Sequence, residues 1–239
     1  MKILPALFAL GLLAAAPTLF AQAPAPEKGG EKTRDAALAP IEDTAGLPRV
    51  LLIGDSISIG YTIPTREKLK GVANVHRIPI NGSSSDVGLA KLDAWLATGG
   101  AEKKWDVIHF NWGLHDLKHW KDGKLDLAGP RLIPIETYEK NLREIVARLK
   151  KTGAKLIFAT TTPVPEGSGG RVAGDEVKYN ETALRVMKSE GVAINDLHAF
   201  TSPQLAKIQR PQNVHFNADG HEALAGQVAA EIRKALGKN

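Results

Sequence analysis

Ser56 has the residue type and the position of a nucleophile. It lies in Gly54-Asp55-Ser56-Ile57-Ser58, directly after a short apolar stretch, where a strand would turn into a helix. In such a turn the serine hydroxyl lies at the rim of a sheet, and its backbone N–H points toward negative charge developing on a substrate oxygen. The structural alternative is that Asp55 or Ser56 only caps the following helix.

Three other polar segments offer the partners that such a serine needs. Gly82 follows the second predicted strand, Asn111 ends the third, His115 follows it, and His215 comes shortly before the last predicted helix. A histidine beside Ser56 would take the hydroxyl proton, while N–H groups and polar side chains would hold an oxyanion. This set of residue types is suited to acyl transfer.

Alternating strands and helices must position these residues, because the hydrophobic period switches repeatedly from residue 49 onward. The predicted strands are 49–53, 75–78, 106–111, 155–160 and 192–196. One predicted helix follows the first strand and ends at residue 70, and the others span 86–97, 136–151, 172–190 and 218–236. This alternation predicts an α/β fold, a three-layer α/β/α sandwich with a mainly parallel five-stranded sheet. Ligands bind such sheets at the carboxyl ends of the strands, where the polar segments lie.

The N-terminal region divides the chain into three parts. Residues 1–21 combine an early lysine, an uncharged apolar run and small closing residues, which predicts a secretory signal peptide and export to the periplasm or the medium. A membrane anchor is the alternative because the run is about long enough to span a bilayer, but no basic cluster follows it, so no stable insertion after cleavage is expected. Residues 22–46 predict a flexible linker, and residues 47–239 the globular domain.

Composition argues against several classes of function. The formal net charge is +5, without a basic stripe interleaved with aromatic residues, so nucleic acid is not an expected partner. A mild attraction to acidic polysaccharide or anionic surfaces is compatible with this charge. The chain has no cysteine and therefore no disulfides. His215, Asp219 and His221 are metal-binding residue types, but their spacing fits no common site, so neither a metal nor a cofactor is expected.

The chain resembles the SGNH/GDSL hydrolases over nearly the whole domain, from residue 51 to residue 229. Residues 54–57, Gly-Asp-Ser-Ile, are similar to the family's first block, whose serine is the nucleophile. Gly82 matches the glycine of the second block, and His215 matches the histidine of the last. The resemblance implies the flavodoxin-like fold of these enzymes, Ser56 as nucleophile with His215 as base, and an oxyanion hole that uses the N–H groups of Ser56 and Gly82.

Two positions depart from the family pattern. The third block normally reads Gly-x-Asn-Asp, and here His115 stands where the asparagine of the oxyanion hole is expected. His115 fits by register if a ring N–H points inward, whereas Asn111 is the competing donor by chemistry. The last block normally reads Asp-x-x-His, and here Gln212 replaces an acid that would fix the histidine tautomer and stabilise the imidazolium.

The missing acid leaves three outcomes open. The first is a Ser–His dyad oriented by Gln212 or by a backbone carbonyl, the second is a carboxylate recruited from Asp219 or elsewhere, and the third is a weakened enzyme. Gln212 is equally well interpreted as a loop residue without a role. Trp112, beside the expected oxyanion hole, is predicted to line a substrate wall.

The resemblance implies a carboxylic ester hydrolase that removes small acyl groups, acetyl foremost, from a small molecule or a glycan. The segments 81–86 and 160–170 are polar and rich in Gly and Pro, which favours a shallow hydrophilic site over a long acyl pocket. A lysophospholipase or thioesterase is the alternative enzyme. A degenerate member that binds glycan without cleaving it is the alternative of a different class. The sequence does not predict the oligomeric state.

Overall fold

The computed structural model of the chain describes residues 28–238. The predicted signal peptide, residues 1–21, lies outside the described residues. Within the described part of the chain, none of the helices is long and apolar enough to cross a membrane.

A five-stranded parallel sheet forms the centre of the domain, and its strand order is β2-β1-β3-β6-β7. The five strands are β1 (Arg49–Ile53), β2 (Asn74–Arg77), β3 (Val107–Phe110), β6 (Lys155–Ala159) and β7 (Ala193–Asn195). All five residues of β1 are buried, because helices cover both faces of this central strand. Ile53 pairs with Phe110, which pairs with Phe158, so the carboxyl ends of three strands are level at one edge of the sheet.

Helices cover the sheet on both faces, which confirms the predicted α/β sandwich. The long helices are α1 (Lys28–Leu38), α2 (Ser56–Lys68), α3 (Ser85–Leu96), α4 (Ile135–Lys150), α5 (Asp175–Glu190) and α8 (Ala218–Leu236). On one face α2 packs against α8 and α1, and on the other α4 packs against both α3 and α5. A single cluster of buried apolar side chains joins these layers, and it includes Leu51, Tyr61, Phe158 and Leu224.

Several short elements lie outside the sandwich pattern and were not predicted. A two-stranded antiparallel ribbon follows β3, and two short helices with an intervening 3₁₀ turn follow β7. These elements are β4 (Trp120–Lys121), β5 (Lys124–Leu125), α6 (Leu197–Thr201), the 3₁₀ turn Ser202–Gln204 and α7 (Leu205–Ile208). These segments do not carry the continuous apolar run that predicts the short strands of the central sheet.

The interpretation of residues 22–46 as a flexible linker is wrong for the part that the structure describes. This part contains α1, which packs against α2. The Arg66 guanidinium donates hydrogen bonds to the carbonyls of Ala36 at 3.0 Å and Ala39 at 3.3 Å. Asp43 accepts from His76 at 2.6 Å, and its nearest contact with the Arg49 guanidinium is 3.1 Å. These polar and backbone contacts, together with the buried Ala37, dock this segment on the domain.

Candidate active site

Ser56 and His215 lie within hydrogen-bonding distance, with 2.8 Å between Ser56 Oγ and His215 Nε2. Ser56 is the first residue of α2, so its own N–H has no acceptor within the helix. Asp55 caps this helix by accepting the Ile57 N–H at 2.9 Å. The capping role that was the alternative for Asp55 thus coexists with a serine hydroxyl that faces an imidazole.

The turn that carries Ser56 is tied to the neighbouring strand by Arg77. The Arg77 side chain is buried, and its Nη2 donates to the carbonyls of Gly54 at 2.8 Å and Asp55 at 3.0 Å. Its Nη1 donates to the carbonyl of Ile80 at 2.7 Å. Burial lowers the pKa of Arg77 to about 10, so the group remains charged at neutral pH.

A short antiparallel bridge holds His215 in front of the serine. Gln209 pairs with Phe216, and the Arg210 N–H donates to the His215 carbonyl at 2.9 Å. Asn217 then caps α8 through its side chain. The backbone on both sides of the imidazole is therefore fixed by hydrogen bonds.

Asn213 is the hydrogen-bond partner of the far nitrogen of His215, whereas the sequence suggests Gln212 or Asp219 for this role. The distance from Asn213 Oδ1 to His215 Nδ1 is 2.7 Å, and the same oxygen accepts the His215 backbone N–H at 3.0 Å. A carbonyl-type oxygen at this position favours the tautomer that carries its proton on Nδ1, which leaves Nε2 free to accept the serine proton. The partner is neutral, so it orients the ring without balancing the charge of an imidazolium.

Neither Gln212 nor Asp219 contacts the His215 ring, and the reason differs between the two residues. Gln212 has a positive φ of 53°, and the ideal Cβ position of Gly167 lies 2.9 Å from its Cγ, so its side chain is directed against the loop that follows β6. Asp219 is exposed in the first turn of α8, where a carboxylate complements the helix dipole. The sequence signal that would have found Asn213 is a polar acceptor two residues before the histidine instead of three.

Burial lowers the pKa of His215 below its usual value, and the charges of Arg210 and Arg171 lower it further. The carboxylate of Asp55 acts in the opposite direction. The imidazole is therefore neutral at pH 7, which is the state that a general base requires.

Gly82 lies beside the Ser56 turn, but its N–H is not directed toward an oxyanion. It donates to the Gly54 carbonyl at 2.9 Å. A Cβ at residue 82 would lie 2.7 Å from that same carbonyl oxygen, so the contact between the two turns requires glycine. The expectation that the Gly82 N–H is a free donor is therefore wrong for this structure, because close backbone packing uses it.

His115 and Asn111 differ in how far their polar groups are already occupied. The Asn111 side-chain amide donates to the Ala159 carbonyl at 2.7 Å. His115 Nδ1 is buried and has no hydrogen-bond partner among the residues that the structure describes. Burial also lowers the pKa of His115, so its ring is neutral at pH 7 and carries one N–H. The Asn111 amide keeps a second N–H, so both residues retain a donor, and His115 is the one without a hydrogen bond at its buried nitrogen.

Trp112 lies in the core, so the interpretation of this residue as a substrate wall is wrong. It is 1% exposed, and its ring stacks on Trp95 at a centroid distance of 6.4 Å. Its indole N–H contacts the Gly82 carbonyl at 3.4 Å. The ring therefore packs against the loop that carries Gly82, and its burial stabilises the fold.

Two further observations describe the surroundings of the site. A cavity of about 10 Å³ adjoins Asp55 and Leu114 and is also lined by Thr160 and Thr162. It has space for about one water molecule, and neither Ser56 nor His215 is among its lining residues. Among residues 28–238, no group of three or more His, Cys, Asp or Glu side chains is placed to hold a metal ion.

Arg171 is a residue near the site that the sequence analysis does not identify. Its Nε donates to the Leu114 carbonyl at 2.9 Å, directly before His115, and its charge acts on both His115 and His215. No motif surrounds it in the sequence, and its place is set by the fold of the loop between β6 and α5.

Comparison with known proteins identifies relatives of this site and fold. A sequence model of the GDSL-like lipase/acylhydrolase family matches residues 52–223. A search of curated proteins finds no significant match.

Solved structures resemble the chain at low sequence identity. An acetyl xylan esterase, AlAXEase, is 18% identical with a TM-score of 0.63, over 77% of this chain and 99% of that protein. An acetylxylan esterase from Geobacillus stearothermophilus is 18% identical with a TM-score of 0.64, over 80% and 96% of the two chains. A lipase/acylhydrolase from Enterococcus faecalis is 20% identical with a TM-score of 0.63, over 79% and 96%. At these identities the likeness establishes a shared fold.

Proposed function

This chain belongs to the GDSL-like lipase/acylhydrolase family, a family of carboxylic ester hydrolases, and on that premise we propose that it is a serine esterase which removes small acyl groups from carbohydrate. The observation that carries the proposal is the 2.8 Å contact between Ser56 Oγ and His215 Nε2. A hydroxyl and a neutral imidazole at this distance are the nucleophile and base of acyl transfer.

In the proposed reaction His215 Nε2 takes the Ser56 proton while Oγ attacks the ester carbonyl. The alcohol part leaves with a proton from the imidazolium, and an acyl-serine remains. Water, deprotonated by the same imidazole, then attacks the acyl-serine and releases the acid. Asn213 Oδ1 holds the Nδ1–H throughout, so the ring keeps one orientation in both halves of the reaction.

The Ser56 N–H and the His115 ring are the proposed donors to the oxyanion. The N–H of a residue at a helix start is directed along the helix dipole and favours negative charge. His115 is supported by its buried and unpartnered Nδ1, whereas the Asn111 amide already donates to the Ala159 carbonyl. A comparison of His115→Ala and Asn111→Ala tests this assignment, because loss of an oxyanion donor costs roughly 10²–10³ in kcat.

The small size of the acyl group is supported by segments 81–86 and 160–170, whose polar, Gly- and Pro-rich composition favours a shallow site over a long acyl pocket. Acetyl is the foremost candidate, and two of the structural neighbours act on acetyl xylan according to their names. Carbohydrate as the alcohol part also agrees with the proposed export of the chain. Sequencing of the mature N-terminus, with cleavage after Ala21 as the expected result, tests that export.

Activity on para-nitrophenyl acetate tests the proposed function. Ser56→Ala should abolish hydrolysis, and His215→Ala should lower it by at least roughly 10³-fold, as in other enzymes where these residues act as a unit. Ser189→Ala is the matched control, because this serine is exposed on α5 and should not matter.

A fluorophosphonate probe gives an independent readout, since it should add one phosphonyl group to the native chain and none to Ser56→Ala. An inert native protein that still binds acetylated glycan would overturn the esterase proposal in favour of a non-catalytic binder.

A further inference from the structure

Two arginines flank the base of the proposed active site. The Arg210 N–H donates to the His215 carbonyl, and its guanidinium Nε donates to the Phe216 carbonyl at 3.2 Å. Arg171 is half-buried on the other segment of the site, where its Nε donates to the Leu114 carbonyl. Each guanidinium is thus fixed by a backbone carbonyl next to a residue of the site.

Within the described part of the chain, no carboxylate oxygen lies at ion-pair distance from Arg171 or Arg210. Asp55 is the carboxylate whose charge raises the pKa of both His215 and Arg171. It is 3% exposed and already caps α2. Lys118 adds a third cation near His115, although Asp86 and Asp116 oppose its charge.

These cations work against the base when the site is empty. His215 must become an imidazolium during attack, and positive charges nearby destabilise that state. The usual compensation is a carboxylate at Nδ1, and here the position is occupied by the neutral side chain of Asn213. A site that places cations beside its base, with a neutral group at Nδ1, relies on the buried Asp55 carboxylate for compensation, so a negative charge from outside would stabilise the imidazolium further.

We propose that the substrate supplies this charge: the site takes acyl esters whose alcohol part carries a carboxylate, held by Arg171 and Arg210. Guanidinium groups match carboxylates by charge and by the geometry of their N–H donors. The inference rests on the proposed esterase function and narrows its substrate class to acylated acidic carbohydrate, such as acetylated polyuronate.

A pair of small esters tests the proposal. Para-acetoxybenzoate and para-acetoxybenzamide differ chiefly in charge, and their rates are normalised to hydrolysis by hydroxide. We expect a kcat/KM ratio of about tenfold in favour of the anion at low salt, the effect of one charge contact in a partly screened site. The ratio should approach one in about 1 M NaCl, where the Debye length is about 3 Å. Equal rates at low salt would overturn the inference and leave the esterase function standing.

Variants assign the preference to the two arginines. Arg171→Gln and Arg210→Gln should each lower the anion-to-neutral ratio several-fold, whereas Arg171→Lys, which keeps the charge, should retain part of it. Arg233→Gln is the matched control, since Arg233 also donates to a carbonyl, that of Lys68, but lies near the far end of α8. An equal loss on both esters in Arg171→Gln would show that Arg171 only supports the loop at Leu114, and would refute its proposed role.

Binding to Ser56→Ala separates this inference from the esterase proposal. Calorimetry on that variant should show tighter binding of para-acetoxybenzoate than of the amide, even if the native protein proves inert. Acetate release from acetylated polygalacturonate should likewise exceed release from its methyl-esterified form. Faster hydrolysis of a lysophosphatidic acid than of acetylated polygalacturonate would overturn the carbohydrate assignment and point to a phosphate group instead.

Discussion

Asn213→Asp places a negative charge at the atom that holds the Nδ1–H of His215. The oxygen lies 2.7 Å from that nitrogen, and Asn213 is exposed, so a high effective dielectric constant applies. At dielectric constants of about 40–80 the attraction to an imidazolium is about 1.5–3 kcal/mol. This energy raises the pKa of His215 by about one to two units and stabilises the imidazolium of the transition state by a similar amount.

Two changes should therefore appear together in the kinetics of Asn213→Asp on a neutral ester. The acidic limb of the kcat/KM profile should move upward by about one to two pH units, and the plateau should rise about tenfold to a hundredfold. Gln212→Asp is the matched control, because it adds the same charge one residue away on a side chain directed against Gly167. If Gln212→Asp shifts the profile and Asn213→Asp does not, the ring is oriented by a different group from the one described.

Three other predictions concern the native base and two buried contacts. In the native protein kcat/KM on a neutral ester should fall only below about pH 6.5, because burial and two arginines lower the pKa of His215; a midpoint above that value would contradict this cause. Gly82→Ala should lower the free energy of unfolding by about 1–3 kcal/mol and reduce activity, because its Cβ would press on the Gly54 carbonyl; an unchanged melting temperature would disprove that contact. Trp112→Ala should lower the free energy of unfolding by about 3–5 kcal/mol in guanidinium titrations, whereas a rise in KM at unchanged stability would restore it as a substrate wall.

The sandwich could be predicted because its signals are local. The apolar run at residues 49–53 and the helix at 218–236 have their predicted bounds in the structure. Hydrophobic periodicity reports which face of an element is buried, and the strand ends then determine which polar residues share an edge. That reasoning places Ser56 at the edge of the sheet, and the resemblance to the SGNH/GDSL hydrolases adds His215 as its partner.

The details of the site depend on contacts between distant segments, which no local pattern records. Gln212 is directed away from His215 because the loop after β6 lies against it, and that loop is fixed in part by a bond from Gln209 to the Pro163 carbonyl. The Gly82 N–H is occupied because two turns pack closely.

The docking of the segment before β1 has a similar cause. Arg66 of α2 contacts the backbone carbonyls of Ala36 and Ala39 in this segment, and not their side chains. Any residue type supplies a carbonyl, so such a contact leaves no trace in the composition.

Because of the buried guanidinium of Arg77, the position of the nucleophile depends on two strands. It reaches from the end of β2 to the carbonyls of Gly54 and Asp55 and to the Ser58 hydroxyl at 2.8 Å. A designer who transplanted only the first strand and its Gly-Asp-Ser turn into another scaffold would leave those oxygens without their donor. The smallest segment that could be transferred is therefore β1–α2–β2, which contains both Arg77 and Ser56.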